Sequence, residues 1–270
     1  MKNNYRQQYL STVTSFFDGR TQYDNETTIG RALPLLDLVP LRAGQHVLDM
    51  ATGTGIIAIA AAQKVGPTGS VVGVDISVGM LAQAQAKIEA SGLQSIELIE
   101  ADAENIAFEP GCFDAIFCVS ALVYWADIPG ALRRWYRWLK PGGMVAFSAW
   151  SDQSYATPLI MEVCKRHDIE LQNINEPTGT QEQCRQLLLT AGFEEIEIVA
   201  EQQGSYVQVE QAKQWNGQWF HPTHNPLASL SDKIMAMLKA DFARTVEEQA
   251  DERGWRSEKE AFYVSGRKPI

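Results

Sequence analysis

Residues 47–62 read VLDMATGTGIIAIAAA. A short apolar run carrying Asp49 gives way to Ala51-Thr52-Gly53-Thr54-Gly55, and a long apolar run follows at once. That order spells strand, tight turn and helix, because glycine enters left-handed backbone conformations without the steric cost other residues meet. The missing β-carbons also let a ligand approach the N–H groups at a helix N-terminus. Gly53-Thr54-Gly55-Ile56-Ile57-Ala58 satisfies the GxGxxG/A nucleotide pattern. A dinucleotide, a phosphate or a different adenosine compound all suit a turn of this kind.

Working outward, strand and helix signals alternate. HVLDM, GSVVGVDI, SIELIEA, CFDAIFCVS and MVAFSAW are strand candidates, and helical stretches are predicted over 55–64, 78–90 and 128–139. Alternation of this kind implies βαβ units and a mostly parallel sheet. Ahead of it, residues 5–38 suggest two helices separated by DGRTQYDN. Beyond it, 181–191 reads as a helix, FEEIEIVA and SYVQVE as strands, 227–249 as a helix, and AFYVSGRKP as a final strand. The stretch before that final strand holds about fifty residues more than a connection needs, which points to a lid or substrate cap. The predicted organisation is one domain over 1–270: N-terminal helices over 1–44, a core over 45–204 and 259–270, and a lid over 205–258.

Composition narrows the class. The 270 residues are 45% hydrophobic and 21% charged, as in a folded globular protein. The formal net charge of −10 argues against nucleic-acid and anionic-membrane partners, and Arg133, Arg134 and Arg137 read as a solvated helix face. Cys112, Cys118, Cys164 and Cys184 lack both CxxC pairing and metal-ligand spacing, so neither a disulfide framework nor a metal is expected. No apolar run reaches membrane-span length, and the opening MKNNYRQQYLSTVTSFF lacks a signal-peptide core, so a cytoplasmic protein without stable membrane insertion is expected.

Open parallel sheets bind ligands at the carboxyl ends of their strands. Asp49 and the glycine turn close the first strand, Asp75 the second, Asp102 follows the third, and Ser120 the fourth. Asp75 stands where a carboxylate accepts both hydroxyls of an adenosine ribose. The glycine turn alone leaves the ligand open; Asp49, Asp75, the Asp102-Ala103 pair and LKPGG before the fifth strand, in that order, narrow it.

With those motifs the chain resembles the class I S-adenosylmethionine-dependent methyltransferases, especially the branch of ubiquinone/menaquinone C-methyltransferases and their small-molecule relatives. FFDGRTQYD, VLDMATGTG, VVGVDIS, EADAENIAF and LKPGG carry the resemblance over roughly residues 16–150. It implies a Rossmann-like, doubly wound α/β fold: a mostly parallel seven-stranded sheet whose last strand is antiparallel. It also implies S-adenosyl-L-methionine as cofactor. Asp49 and the backbone of Ala51, Thr52, Gly53 and Gly55 would then face the methionine end, Asp75 the ribose, and Ile76 and Met80 the adenine flanks. Asp102 and the Ala103 amide would read the adenine edge, with Ser120 nearby and Tyr23 closing over the methionine carboxylate. The family often has glycine where this chain has Ala51; an ordinary backbone there is harmless, whereas a strained one bears on cofactor affinity.

Methyl transfer from a sulfonium is an in-line displacement that chiefly requires alignment in a dry pocket. Tyr124, Trp125, Trp150, Tyr155 and Trp219 are candidate pocket walls and suggest a small apolar or aromatic acceptor, quinone-like, phenolic or a specialised metabolite, methylated on O, N or C. His221 and His224 are candidates for a general base, from their position in the lid. Two other readings stay open: an NAD(P)-dependent oxidoreductase, which leaves Asp102-Ala103 and LKPGG unexplained, and a non-catalytic S-adenosylmethionine-binding module. VSALVYW after the fourth strand lacks the proline-rich motif of exocyclic-amine methyltransferases, which again argues against nucleic acid.

Overall fold

The computed structural model describes residues 2–270, with side chains from Tyr5 onward. Three helices lead in: α1 (Lys2–Asp18), α2 (Glu26–Ala32) and the short α3 (Pro34–Asp37). The alternating core follows as β1 (His46–Met50), α4 (Ile56–Val65), β2 (Ser70–Asp75), α5 (Val78–Ser91), β3 (Ile96–Glu100), β4 (Phe113–Cys118), α6 (Ile128–Trp138) and β5 (Leu139–Trp150). Then come α7 (Thr157–Arg166), α8 (Gln181–Ala191), β6 (Glu194–Gln202), β7 (Ser205–Val207), α9 (Val209–Ala212), α10 (Asp232–Gln249), β8 (Trp255–Ser257) and β9 (Glu260–Arg267).

One sheet has seven strands in the order β3-β2-β1-β4-β5-β9-β6. All neighbours pair parallel except β9, which runs antiparallel to both β5 and β6. This is the mostly parallel sheet expected from the alternation and the Rossmann-like arrangement implied by the resemblance. The chain reverses its direction of travel across the sheet between β1 and β4, and ligands of such sheets bind in the crevice opened there. Side chains alternate across β1, so Leu48 and Met50 join the core beneath α6 and α8 while Val47 joins the core beneath α3 and α4. Burial on both faces is why VLDM reads as a continuous apolar run.

Several elements differ from the sequence-based reading. LKPGG lies inside β5, because Leu139 already pairs with Phe113 and Gly142 adopts a φ of 76° that lets the strand bend without breaking. SYVQVE gives only the three-residue β7, which stays outside the main sheet and forms a two-stranded ribbon with β8. The helix predicted over 227–249 starts at Asp232, where the Ser231 side chain accepts from the Ile234 N–H and caps it. Arg134, expected on a solvated face, is half-buried, and its Nε and Nη2 find no hydrogen-bond partner among the described residues.

A third hydrophobic core lies off the sheet. Leu159 and Val163 of α7, Leu238 and Phe242 of α10, Trp215 and Trp255 fill it. The material before the last strand therefore packs together with α7, a partner that no local pattern in α7 announces.

Candidate active site

Two adjoining cavities open where the sheet order reverses. The first, of about 770 Å³, is walled by Ala51, Gly53, Asp75, Ile76, Met80, Asp102 and Ala103 on the sheet side. Ser120, Tyr124 and Trp125 close it after β4, and Leu10, Val13 and Phe17 of α1 cover it. The second, of about 540 Å³, is walled by Asp49, Thr52, Thr54, Thr28 and Arg31, among others. Tyr23, Ala51, Gly53, Val119 and Ser120 line both, so the two form one bent groove.

The turn after β1 is pinned by its own carboxylates. Asp49 is 2% exposed, and its Oδ2 accepts from the Thr52 hydroxyl at 2.6 Å and the Ala58 N–H at 3.1 Å. Burial pushes its carboxyl up to about 7 against those two lowering bonds. A cation arriving in the second cavity would reverse that balance. Asp75 accepts from Gly53 N–H and Ser77 N–H, both at 2.8 Å, and burial raises its titration as well.

Ala51 holds a φ of 55°, Gly53 of 56° and Gly55 of 77°. Glycine takes these values freely, while an alanine there carries strain of roughly 1–2 kcal/mol. Ala51 thus keeps a glycine-like turn at the cost of a strained backbone. A β-carbon on Gly53 would meet nothing within 4 Å, so that glycine faces the open groove. Gly55 does not: a β-carbon there would stand 3.2 Å from Ala84 of α5, and its N–H donates to Thr52. Gly55 lines neither cavity, and its missing β-carbon leaves room for Ala84 of α5.

On the far side, Asp102 accepts from Glu104 N–H at 3.0 Å, the Asn105 side chain at 2.6 Å and Arg6 at 3.3 Å. Ser120, with a φ of 52°, donates its N–H to Ser148.

The aromatic and histidine candidates separate. Tyr124 and Trp125 line the first cavity. Trp150 lines only a small side cavity with Arg31 and Ser120, and Tyr155 packs edge-on against it at 5.0 Å, its hydroxyl 3.4 Å from Arg31. Trp219 belongs to the third core and lines neither main cavity. His221 is also outside both; its Nδ1 accepts from the Thr223 and His224 amides, and burial lowers its titration. His224 faces a separate surface groove beside Lys165. Neither histidine therefore stands where it could deprotonate an occupant of the groove. Among the described residues no cluster of three potential metal ligands occurs.

Sequence reading missed Arg31, Thr28 and Glu104, as well as the α1 wall. Arg31 sits one position from buried Ala32 in a helix too short to show an amphipathic period, so nothing local distinguished it from a solvated arginine.

The sheet has the Rossmann-like fold of solved methyltransferases, and it carries a glycine turn, three strand-end carboxylates and a bent two-part groove. Residues 47–143 match the family described as Methyltransferase domain. The chain is similar to aklanonic acid methyltransferase of Streptomyces sp. strain C5, 35% identical over 52% of this chain and 66% of the relative. It is similar also to demethylmenaquinone methyltransferase of Thermus thermophilus, 41% identical over 40% of this chain and 48% of the relative. Nocamycin O-methyltransferase of Saccharothrix syringae is 34% identical over 42% of this chain and 41% of its own length. The chain thus spans about two-fifths to two-thirds of the relatives it matches. Among solved structures, phosphoethanolamine N-methyltransferase 2 of Haemonchus contortus with S-adenosyl-L-methionine has a TM-score of 0.56 at 23% identity, covering 95% of this chain and 60% of that one. A SAM-dependent methyltransferase from Aquifex aeolicus has a TM-score of 0.51 at 20% identity, covering 65% and 87%.

Proposed function

We propose that the protein is an S-adenosylmethionine-dependent methyltransferase that moves a methyl group to O, N or C of a small, apolar or aromatic acceptor. The observation that carries this reading is the second cavity, where Asp49 and Arg31 line one space. Opposite charges in one pocket complement the ammonium and carboxylate of an amino-acid tail. The adjoining first cavity offers Asp75 to a ribose diol and apolar Ile76 and Met80 to an adenine.

A dinucleotide fits the same turn poorly. Its pyrophosphate would meet the buried carboxylate of Asp49, and the Gly53 N–H that would hold a phosphate is already donated to Asp75.

The bound cofactor supplies an electrophilic methyl carbon on a sulfonium. The chain's own residues orient and shield: α1 covers the groove with Leu10, Val13 and Phe17, while Tyr124 and Trp125 wall the acceptor side. Shielding matters because an in-line displacement that disperses charge gains from exclusion of water and from alignment. No helix of the described chain is long and apolar enough to cross a membrane. A cytoplasmic setting belongs to the same reading, supported by four free cysteines.

Calorimetry with S-adenosylmethionine, S-adenosylhomocysteine and NAD tests the cofactor. Binding of the first two without NAD is expected, and the reverse pattern would overturn the reading. A radiolabelled methyl donor in a metabolite extract then separates a catalyst, which labels a product, from a binding module, which does not.

A further inference from the structure

A guanidinium rides on a long flexible stem, so it recognises a carboxylate well only where its surroundings hold it in one place. Arg31 is held from three sides. Its Nε donates to the Thr27 carbonyl at 3.1 Å, one turn back in α2. Its Cζ lies 5.4 Å from the centre of the Trp150 ring, and its Nη1 donates to the Tyr155 hydroxyl oxygen at 3.4 Å. None of these partners is a carboxylate, and the remaining Nη donors are left for an occupant of the second cavity, which Arg31 lines.

Tyr155 lines neither main cavity and stands behind Arg31. It is itself fixed by the link from β8 into β9. Its N–H donates to the Glu258 carbonyl at 2.6 Å, and the Ser154 hydroxyl both donates to the Glu260 carbonyl and accepts from the Glu260 N–H. Tyr155 also holds a φ of 62°, a left-handed conformation that a bulky side chain rarely adopts. Glycine would turn the same corner without strain, so what the tyrosine adds there is its side chain. That side chain touches Trp150 edge-on at 5.0 Å and Arg31 through its hydroxyl.

We infer that Tyr155, with Trp150, is a positioning residue that holds the Arg31 guanidinium where it pairs with the carboxylate of the cofactor's amino-acid tail. This rests on the methyltransferase reading above. Three separate pieces of chain then build the tail site: α2 supplies the cation, the end of β5 supplies the ring it lies against, and the corner beyond supplies the hydroxyl. The adenosine half meets other residues, Asp75, Ile76 and Met80 among them. Loss of Tyr155 should therefore weaken recognition of the tail and leave recognition of adenosine alone.

The test is calorimetry on the full chain with three matched probes. S-adenosylhomocysteine carries the whole tail, S-adenosyl-3-thiopropylamine lacks only the carboxylate, and 5′-methylthioadenosine lacks the amino acid altogether. Arg31→Gln is expected to weaken S-adenosylhomocysteine about tenfold and Tyr155→Phe about threefold, while the other two probes bind each variant within about twofold of the unaltered protein. Tyr155→Gly relieves the strained φ but removes the ring, and is expected to lose at least as much S-adenosylhomocysteine affinity as Tyr155→Phe. Tyr155→Phe added to Arg31→Gln is expected to cost nothing more, because the tyrosine acts through the arginine. Unchanged S-adenosylhomocysteine affinity in any of the single variants, equal weakening of all three probes, or a further loss in the double variant would overturn the inference. Failure of the unaltered protein to bind both S-adenosylhomocysteine and 5′-methylthioadenosine would overturn the methyltransferase reading instead.

Discussion

Ala51 and Asp49 show how individual residues set the turn. At a φ of 55° alanine occupies a region favourable to glycine, so Ala51→Gly should relax the turn. The relief of roughly 1–2 kcal/mol is partly offset by the roughly 0.5–1 kcal/mol of extra unfolded-state freedom glycine brings. A gain of up to about 1 kcal/mol in denaturant unfolding is expected, with tighter binding of S-adenosylmethionine; a destabilised variant would mean that the strain is compensated elsewhere. Asp49 carries a pH dependence of definite sign. Its carboxyl titrates near 7 in the folded protein against an ordinary 3.8, so between those values the native state holds a proton the unfolded chain has lost. Stability should therefore fall as pH rises from about 4 to about 7, and Asp49→Asn should make that slope shallower, leaving the part that Asp75 contributes with the same sign. Cofactor affinity should move the opposite way, because an ammonium favours the ionised carboxylate. The dissociation constant should drop by up to about tenfold per pH unit below about pH 7, measured by calorimetry, and be insensitive to pH there in Asp49→Asn.

At the scale of elements, α1 is the cover of the groove, and it is lightly fastened. Among its described side chains only Tyr9 and Val13 are buried, and the Tyr9 hydroxyl has no hydrogen-bond partner among the described residues. Its other attachments are polar contacts and a few aromatic ones. Arg6 pairs with Asp102 and Glu104, and the Asp18 carboxylate accepts from Ser77 and Gly79 at the start of α5. The Tyr5 hydroxyl donates to the His221 carbonyl, and Phe16 packs on Phe220 at 5.4 Å. Partly exposed ion pairs contribute about 1 kcal/mol or less each, so α1 should open far more readily than the sheet. Its amides are expected to exchange at least about tenfold faster than those of β4, and to slow when S-adenosylhomocysteine fills the groove and packs against Leu10, Val13 and Phe17. Equal exchange of α1 and β4, or no change with ligand, would mean that α1 is a fixed wall.

For the whole molecule, the segment before β9, expected from sequence to be a cap, forms with α7 a second body of apolar packing beside the sheet. How much of this was legible divides along the same line. β1, its glycine turn and the carboxylates at the strand ends were readable because each depends on local rules: period, positive φ, and the end of a buried strand. Arg31 was not, because its role comes from the groove that α2 and β1 form together. Nor was the fate of Trp219, since an aromatic in a cap looks the same in sequence whether it faces the cap core or a ligand. The recruitment of α7 into the cap was likewise invisible, being decided by long-range contact with α10. That division has a measurable consequence. Phe242 is 1% exposed at the centre of the cap core, with Trp215 at 5.6 Å, and no residue of that core lines either main cavity. Phe242→Ala should cost the cap about 3–5 kcal/mol through lost burial and the cavity left behind. The sheet and the turn after β1 lie outside that loss, so S-adenosylhomocysteine affinity should change by less than about twofold, while denaturant unfolding splits into an early cap transition and a later core transition. Turnover of an acceptor should fall, because the cap braces α1 through Phe220 and His221. If cofactor affinity fell in parallel with cap stability, the cap and the groove would instead be a single cooperative unit, with α1 transmitting the strain between them.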